Sequence, residues 1–228
     1  MKMLDTPAQL VNAGTVEEII PYDKFFSLTN EGFHRYGNIF ELPVCVGPRG
    51  YMARTYRKEY LGGEVLDFGC GTNRALQEDL GIGDDLYFAC DTDPSARVNF
   101  RSLAEIPADM RFQMINSDQV LEHLSFGDCI QAVIGLAAVV ATGGVLVLGV
   151  PNPQHPTRYL CNPTHVTPLT YLNLYALLRL AGLEVVVCAR CNKQPGPRWY
   201  ERPFVGMMSR VFRMDWCDTI YAVGRKVK

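Results

Sequence analysis

Short apolar runs alternate with longer stretches of mixed polarity from about residue 62 to the C-terminus. The short runs are rich in Val, Leu, Phe and Ile, and Gly, Pro or Asp residues stand near their ends. Such runs are typical of strands that are buried on both faces of a parallel sheet. The predicted strands are Glu64–Phe68, Leu86–Cys90, Val98–Leu103, Phe112–Asn116, Val145–Val150, Leu183–Ala189 and Thr219–Gly224.

The stretches between these runs have helical spacing. The predicted helices are Arg74–Leu80, Ile130–Ala141 and Tyr171–Ala181, with Thr170 as the cap of the last helix and Gly182 at its end. Alternating strands and helices predict an α/β fold with a doubly wound, mostly parallel sheet. The interval from Asp93 to Arg111 is too short for a full helix and a long strand, so the third strand is expected to be short.

The first 61 residues differ from the rest of the chain. Residues 1–14 have no clear pattern, and Val16–Ile20 could begin a short helix. Aromatic residues are dense from Tyr22 to Tyr60, and Tyr51–Tyr60 is predicted to be a helix that ends at Gly62 and Gly63. We therefore predict an N-terminal tail and aromatic-rich helical cap over 1–61, followed by the main domain over 62–228.

The most informative polar residues follow the first two predicted strands. Asp67, Gly69 and Gly71 form a D-x-G-x-G turn, and Asp91 stands 20 residues beyond Gly71 at the end of the next strand. Glycines allow positive φ and close approach of a ligand, and an acid at this distance can bind ribose hydroxyls. Arg74 in place of a small third residue argues against an NAD site, and no Gly-Lys-Ser/Thr follows as in a P-loop. Asp67 would repel a pyrophosphate and suits a cofactor with positive charge.

At these residues the chain resembles the class I S-adenosylmethionine-dependent methyltransferases. Three later segments, Ser117–Leu124, Thr142–Asn152 and Thr164–Val186, resemble the small-molecule branch that includes ubiquinone-biosynthesis and sugar O-methyltransferases. The resemblance implies a seven-stranded sheet whose last strand is antiparallel, with S-adenosylmethionine as the cofactor and S-adenosylhomocysteine as the product. The cofactor residues that it implies, including lower-ranked candidates, are Asp67, Phe68, Gly69, Cys70, Gly71, Asp91, Thr92, Ser102, Ser117 and Asp118.

Two histidines are candidates for the general base. His165 precedes the last long helix, and in the family that the chain resembles a histidine at this place commonly faces the mouth of the active site. His123 follows the fourth predicted strand. A near-neutral imidazole can take a proton from a hydroxyl nucleophile, although either histidine could instead have a structural role. The predicted substrate residues are Gln119, His155, Arg158, Tyr159, Tyr36 and Trp199. No metal is predicted, because Gln119 stands where some ubiquinone-type relatives carry a metal-binding acid.

The segment 190–218 is predicted to be a lid insertion, because a long loop rich in aromatic residues and methionines suits an apolar or ring-shaped substrate. Packing of this segment against the N-terminal cap is the alternative. The expected reaction is methyl transfer to a hydroxyl oxygen of a sugar or a phenol-like metabolite. The alternatives are an N-methyltransferase that acts on a small amine and a cofactor-binding regulatory protein without catalysis.

Composition narrows the class of protein further. The 228 residues are 48% hydrophobic and suffice for one large domain, and a net charge of −2 disfavours binding to nucleic acid. No apolar stretch of spanning length and no basic leader are seen, so we expect a cytoplasmic chain without a membrane partner. Buried reduced cysteines are expected, and zinc at Cys188 and Cys191 would lack a second pair of ligands. The expected partner is a small-molecule acceptor, and the chain is expected to be a monomer or homodimer.

Overall fold

The computed structural model describes residues 22–46, 56–192 and 199–228, without the side chains of Tyr22 and Val46. The predicted tail at 1–14, the predicted helix at Val16–Ile20 and residues 51–55 of the next predicted helix lie outside these residues. Residues 56–59 are helical, as predicted. None of the helices in the described part of the chain is long and apolar enough to cross a membrane.

Seven strands form one mixed sheet in the described residues. They are β1 (Val44–Val46), β2 (Val65–Phe68), β3 (Tyr87–Cys90), β4 (Phe112–Asp118), β5 (Val140–Pro151), β6 (Glu184–Asn192) and β7 (Thr219–Arg225). Their order is β1-β6-β7-β5-β4-β2-β3. β7 is antiparallel to both β5 and β6, and the other neighbours are parallel. The predicted fold class is therefore confirmed, including the antiparallel last strand.

One predicted strand is wrong. Residues 98–103 form only a single parallel bridge, between Cys90 and Phe100, and a 3₁₀ helix begins at Leu103. The Asn99 side chain accepts a hydrogen bond from the Ala89 amide, so it occupies a donor that a neighbouring strand would use. The seventh strand is instead β1, which pairs with residues 190–192 at the far edge of the sheet. Because this pairing lengthens β6, residues 190–192 belong to the sheet and not to a lid.

Besides the helical residues 56–59, five α-helices lie in the described part of the chain. They are α1 (Tyr22–Tyr36), α2 (Ala75–Leu80), α3 (Phe126–Val139), α4 (Tyr171–Leu180) and α5 (Arg202–Phe212). Ser125 caps α3 through the Asp128 amide, so this helix begins four residues before its predicted start. It also ends earlier than predicted, because Val140 and Ala141 already belong to β5. Thr170 caps α4 in a reciprocal capping box with Asn173, as its position predicts.

Helices α1 and α4 pack closely on one face of the sheet. A Cβ on Gly32 would lie 2.9 Å from the ring of Tyr175, so only glycine lets the two helices approach this closely. Glu31 accepts hydrogen bonds from the Tyr175 hydroxyl at 2.7 Å and from Arg179 at 3.1 Å. The larger apolar core lies on this face, and a smaller one around Tyr56, Val65 and Met114 lies on the other. The two cores leave the carboxyl ends of β2, β3, β4 and β5 at one edge.

Candidate active site at the carboxyl edge of the sheet

The glycine bend, which contains Gly69 and Gly71, follows the end of β2. In the sheet β2 lies between β3 and β4. Gly69 has a φ of +75° and Gly71 a φ of +59°, both in the left-handed region that favours glycine. A Cβ on Gly69 would lie 2.2 Å from the Cγ2 atom of Val120. Both the backbone conformation and this contact exclude a side chain at position 69. Glycine at position 69 therefore allows close packing against Val120, whereas the space beside Gly71 is open, at the edge where open α/β sheets bind their ligands.

Asp91, which directly follows β3, is hydrogen bonded to this bend. Its carboxylate accepts hydrogen bonds from the Gly71 amide at 2.7 Å and from the Asp93 amide at 2.8 Å. The spacing of 20 residues in the sequence thus becomes a direct contact in the fold. Each carboxylate oxygen can accept a further bond, so this side chain can also receive the two hydroxyls of a ribose.

Asp67 is buried at the base of the bend. It accepts hydrogen bonds from the Tyr87 hydroxyl and from the Asn116 side-chain amide, each at 2.9 Å. Asn116 is the register partner of Asp67 on β4, and the Tyr56 hydroxyl donates to it at 2.7 Å. Burial raises the pKa of Asp67 from 3.8 to about 6, although the two donors partly offset this effect. The site therefore holds a desolvated carboxylate that a cation would stabilise in its ionised form.

The raised pKa of Asp67 predicts how stability depends on pH. Between about pH 4 and pH 6 the unfolded chain ionises this acid while the folded chain keeps its proton, so the contribution of Asp67 to stability falls as pH rises through about 6. A shift of about two pKa units corresponds to roughly 3 kcal/mol. We expect Asp67→Asn to remove this decline when free energies of unfolding are measured by denaturant titration across that range. Parallel curves for the variant and the unmodified chain would contradict the assignment.

A cavity of about 240 Å³ opens beside Asp67 and the bend. Its lining includes four predicted residues, Asp67, Gly69, Cys70 and Asp118. The residues that the sequence analysis missed are Tyr56, Asn73, Ala75, Leu76, Asp79, Asn116, Cys191 and Tyr221. Of these, only Asn116 had a signal in the sequence, since it immediately precedes the predicted pair Ser117 and Asp118.

The end of β4 brings the next three predicted residues to the same edge. Asp118 hydrogen bonds with the Tyr221 hydroxyl of β7, and Ser117 is fully buried. Gln119 has a φ of +60°, a conformation that few residues other than glycine adopt, and its amide donates to the Gly149 carbonyl at 2.8 Å. Asp118 lines the cavity beside Asp67, and Gln119, at this bend, lines a different one.

A second cavity, of about 210 Å³, includes Gln119, the residue after Asp118, in its lining. Its lining includes Gln119, Arg158 and His165, which the sequence analysis selected for the substrate or the base. The other lining residues are Pro151, Cys161, Asn162, Asp218 and Thr219. The Arg158 guanidinium is paired with the buried Asp218 carboxylate, so it forms part of the wall. Consecutive residues at the end of β4 therefore line the two cavities, Asp118 the first and Gln119 the second.

The two predicted catalytic histidines lie together. Their ring centroids are 4.9 Å apart, and the Nε2 atom of each lies 3.9 Å from the same carboxylate oxygen of Glu122. The Nδ1 atom of His165 lies 2.8 Å from the Tyr159 carbonyl, and that of His123 lies 3.2 Å from the Thr164 carbonyl. A carbonyl only accepts, so Nδ1 of His165 carries the proton and its Nε2 keeps a lone pair when the ring is neutral. The Nδ1 atom of His123 also lies 2.9 Å from the Thr164 hydroxyl, which can donate or accept.

Glu122 is buried to 99% of its surface and its two carboxylate oxygens have no hydrogen-bond donor among the described residues. Burial raises its pKa to about 8, so this acid is largely neutral near pH 7. Burial also lowers the pKa of His123, and the neighbouring His165 adds to this effect. One ligand atom from each of Glu122, His123 and His165 lies within 4.8 Å of the others, so the cluster could hold a cation once the acid is ionised. The predicted absence of a metal stays a prediction.

The remaining predicted residues lie around these cavities or away from them. Tyr159 packs on His165, with ring centroids 5.2 Å apart, and His155 packs against Trp216 while its Nδ1 accepts the Thr157 and Arg158 amides. Tyr36 packs edge-on against Tyr175, and Trp199 is 79% exposed. Neither placement supports the substrate role predicted for these two residues, which stays a prediction.

Six predicted cofactor residues lie outside the lining of both cavities, namely Phe68, Gly71, Asp91, Thr92, Ser102 and Ser117. Phe68 is fully buried in the larger core, so only its backbone faces the bend. Thr92 is half-buried beside Asp91, and Ser102 stands at the start of a 3₁₀ helix. Gly71 lines a separate cavity of about 230 Å³ on the outer side of the bend. Roles for these residues in cofactor binding stay predictions.

Comparison with known proteins identifies the family. A family model described as a methyltransferase domain matches residues 49–187, which is more than half of the chain. The chain therefore belongs to this methyltransferase family. No curated protein sequence matches it.

Solved structures show the same fold at low sequence identity. A SAM-dependent methyltransferase from Archaeoglobus fulgidus is 17% identical, with a TM-score of 0.59 over 77% of this chain and 92% of the other. The 1,6-didemethyltoxoflavin-N1-methyltransferase of Burkholderia thailandensis, solved with S-adenosylhomocysteine, is 19% identical, with a TM-score of 0.56 over 96% and 94%. The N-methyltransferase NodS of Bradyrhizobium japonicum is 16% identical, with a TM-score of 0.53 over 78% and 93%.

The residues of the site fit the cofactor of this family. Open space lies where a Cβ on Gly71 would stand, Asp91 presents a carboxylate suited to a ribose, and Asp67 is a buried acid suited to a cation. S-adenosylmethionine combines a ribose with a cationic sulfur and an ammonium group. It is the cofactor of this chain, and S-adenosylhomocysteine is the product.

Proposed function

We propose that the chain transfers a methyl group from S-adenosylmethionine to a hydroxyl oxygen of a small sugar-like or phenol-like molecule. The cavity that contains Gln119 and His165 would bind this acceptor. The observation that carries the proposal is the tautomer of His165, whose Nδ1–H is held by the Tyr159 carbonyl. We infer that its Nε2 lone pair then serves as the proton acceptor for a ligand in the cavity that His165 lines.

The cofactor residues divide into two groups in this proposal. The Gly69–Gly71 bend and Asp91 would hold the nucleoside, and Asp67 with Asp118 would hold the cationic methionine part. When bound, S-adenosylmethionine supplies a methyl carbon made electrophilic by a positively charged sulfur. The chain then has to align the acceptor oxygen with that carbon and keep water away.

His165 would remove the proton of the acceptor hydroxyl as the oxygen attacks. The Tyr159 carbonyl fixes the ring orientation, and it also stabilises the imidazolium that forms, since Nδ1–H remains bonded to it. Glu122 lies 3.9 Å from Nε2, which is beyond hydrogen-bond distance. An amine acceptor would not need this base once it is deprotonated.

The experiment that tests this function is a screen of acceptors with isotopically labelled S-adenosylmethionine. Sugars, phenols and small amines are incubated with the full chain, and the methylated atom is located by mass spectrometry and NMR. We expect an O-methyl product from the first two groups. Methylation of amines alone would contradict the hydroxyl assignment and support the N-methyltransferase. Cofactor binding without any product across the panel would support the regulatory alternative.

A further inference from the structure

An amphipathic helix with an uncovered apolar stripe borders the site. Helix α5 has no buried residue, and its Phe204, Met207 and Val211 are 57%, 51% and 64% exposed. These three residues recur at intervals of three and four, so they form one stripe along the helix. The half-buried residues of α5 are Val205, Met208 and Ser209, which face the body of the protein. The exposed stripe therefore does not serve to attach the helix.

The polar side of α5 is basic. Arg202 and Arg210 lie on the side opposite Phe204, and Arg213 follows at the helix end. The sequence from 193 to 214 contains five basic residues, Lys193, Arg198, Arg202, Arg210 and Arg213, and one acidic residue, Glu201. Its net charge is therefore five minus one, or +4, within a chain whose net charge is −2. An apolar stripe combined with a basic polar side is the pattern of helices that lie in the interface of anionic membranes.

The end of α5 is firmly attached to the rim of the site. Asp215, two residues after Arg213, is buried and paired with Arg190 at 2.8 Å, and it also accepts from the Asn152 side chain at 2.7 Å. The Gln154 side chain donates to the Arg213 carbonyl at 3.3 Å. These contacts hold the chain just after α5 against the body of the protein.

We propose that α5 docks this protein on an anionic membrane surface, with Phe204, Met207 and Val211 inserted among the lipids and the arginines at the headgroups. Trp199, which is 79% exposed just before the helix, lies at the interface as tryptophan commonly does. A second copy bound through the same stripe would bring two segments of charge +4 together, and their repulsion disfavours it. The absence of a spanning segment and of a basic leader, from which no membrane partner is predicted, does not apply to a helix that lies in the interface.

The test is sedimentation of the full chain with vesicles of phosphatidylcholine alone and of phosphatidylcholine mixed with phosphatidylglycerol. We expect binding to the mixed vesicles that weakens as salt is raised. The double variant Phe204→Glu with Val211→Glu should bind at least about tenfold more weakly, because it loses the apolar insertion. The control is Leu61→Glu, since Leu61 is 78% exposed and distant from α5 in the sequence. All variants should bind S-adenosylhomocysteine normally, so this test is independent of the proposed reaction.

Fluorescence provides a second readout that does not depend on the charge changes. The chain has two tryptophans, and the exposed Trp199 should shift to shorter wavelength when mixed vesicles are added. Trp199→Phe should remove that shift while the chain still sediments with the vesicles. Equal binding of the double variant and the unmodified chain would overturn the proposal. So would a chain that binds neither vesicle, including one that forms a dimer which the double variant disrupts.

Discussion

Replacing Asp91 with asparagine is expected to weaken the binding of S-adenosylhomocysteine by about 100-fold or more. The carboxylate accepts the Gly71 and Asp93 amides and would also accept both ribose hydroxyls. Each hydrogen bond to a charged group contributes about 1.5–3 kcal/mol, and the amide of asparagine can accept only through one oxygen. Calorimetric titration of the variant with S-adenosylhomocysteine measures this loss directly.

The matched control for this variant is Asp93→Asn. Asp93 lies two residues further along, and its carboxylate accepts from the amide and hydroxyl of Ser95. Unlike the Asp91 carboxylate, that of Asp93 is bonded to the exposed Ser95 and not to the glycine bend in the described residues, so we expect an affinity within about threefold of the unmodified chain. Equal affinities for the two variants would mean that Asp91 does not bind the ribose.

His165→Asn is expected to lower the turnover number by about 10²–10⁴, which is the usual contribution of a general base. Asparagine can keep a donor near the position of Nδ1 and so preserve the bond to the Tyr159 carbonyl, but it has no group that can take a proton. Affinity for S-adenosylhomocysteine should stay unchanged, because His165 lines the acceptor cavity and not the cofactor cavity. Turnover of the identified acceptor and calorimetry measure the two effects separately.

The control for His165→Asn is His155→Asn, the same substitution at another histidine of this loop. Its Nδ1 accepts two backbone amides, a role that the asparagine oxygen can replace, and its ring packs against Trp216. We expect its turnover to fall by less than about tenfold. If His165→Asn kept full turnover on the true acceptor, His165 would not be the base. His123→Asn, tested in parallel, shows whether the neighbouring ring substitutes for it.

Local sequence patterns determined much of the sheet and the bend of the site. The apolar runs at Glu64–Phe68, Leu86–Cys90 and Phe112–Asn116 each contain a strand, since their length and composition leave few other structures. Gly69, Gly71 and Asp91 lie together because β2 and β3 are parallel neighbours. The residues that follow the two strands are therefore at the same edge of the sheet. These features depend on residues that are close in the sequence or repeat at a fixed interval.

Long-range pairing accounts for most of what the sequence analysis missed. The three-residue strand β1 forms only by pairing with residues 190–192, nearly 150 positions later, so its apolar content alone is too short a signal. Asn116 binds Asp67 because the register of β2 and β4 places them side by side. Tyr221 reaches Asp118 because β7 lies between β5 and β6. Each of these contacts depends on the order and register of strands that are distant in the chain.

The conformation of Gln119 shows a different limit. Its positive φ is rare outside glycine, and nothing in the residues 117–119 signals it. The bend is held by the Gly149 carbonyl, and a Cβ on Gly149 would lie 2.3 Å from the Asp118 carboxylate. The glycine of β5 and the bend after β4 therefore require each other, which only the packed structure shows.

Calorimetric titration of the folded full chain with S-adenosylhomocysteine tests the central claim most directly. We predict one molecule bound per chain, with an affinity that decreases as pH falls through about 6 and Asp67 takes up a proton. A chain whose circular dichroism shows intact secondary structure but which takes up no S-adenosylhomocysteine at neutral pH would contradict the assignment of this edge of the sheet as the cofactor site.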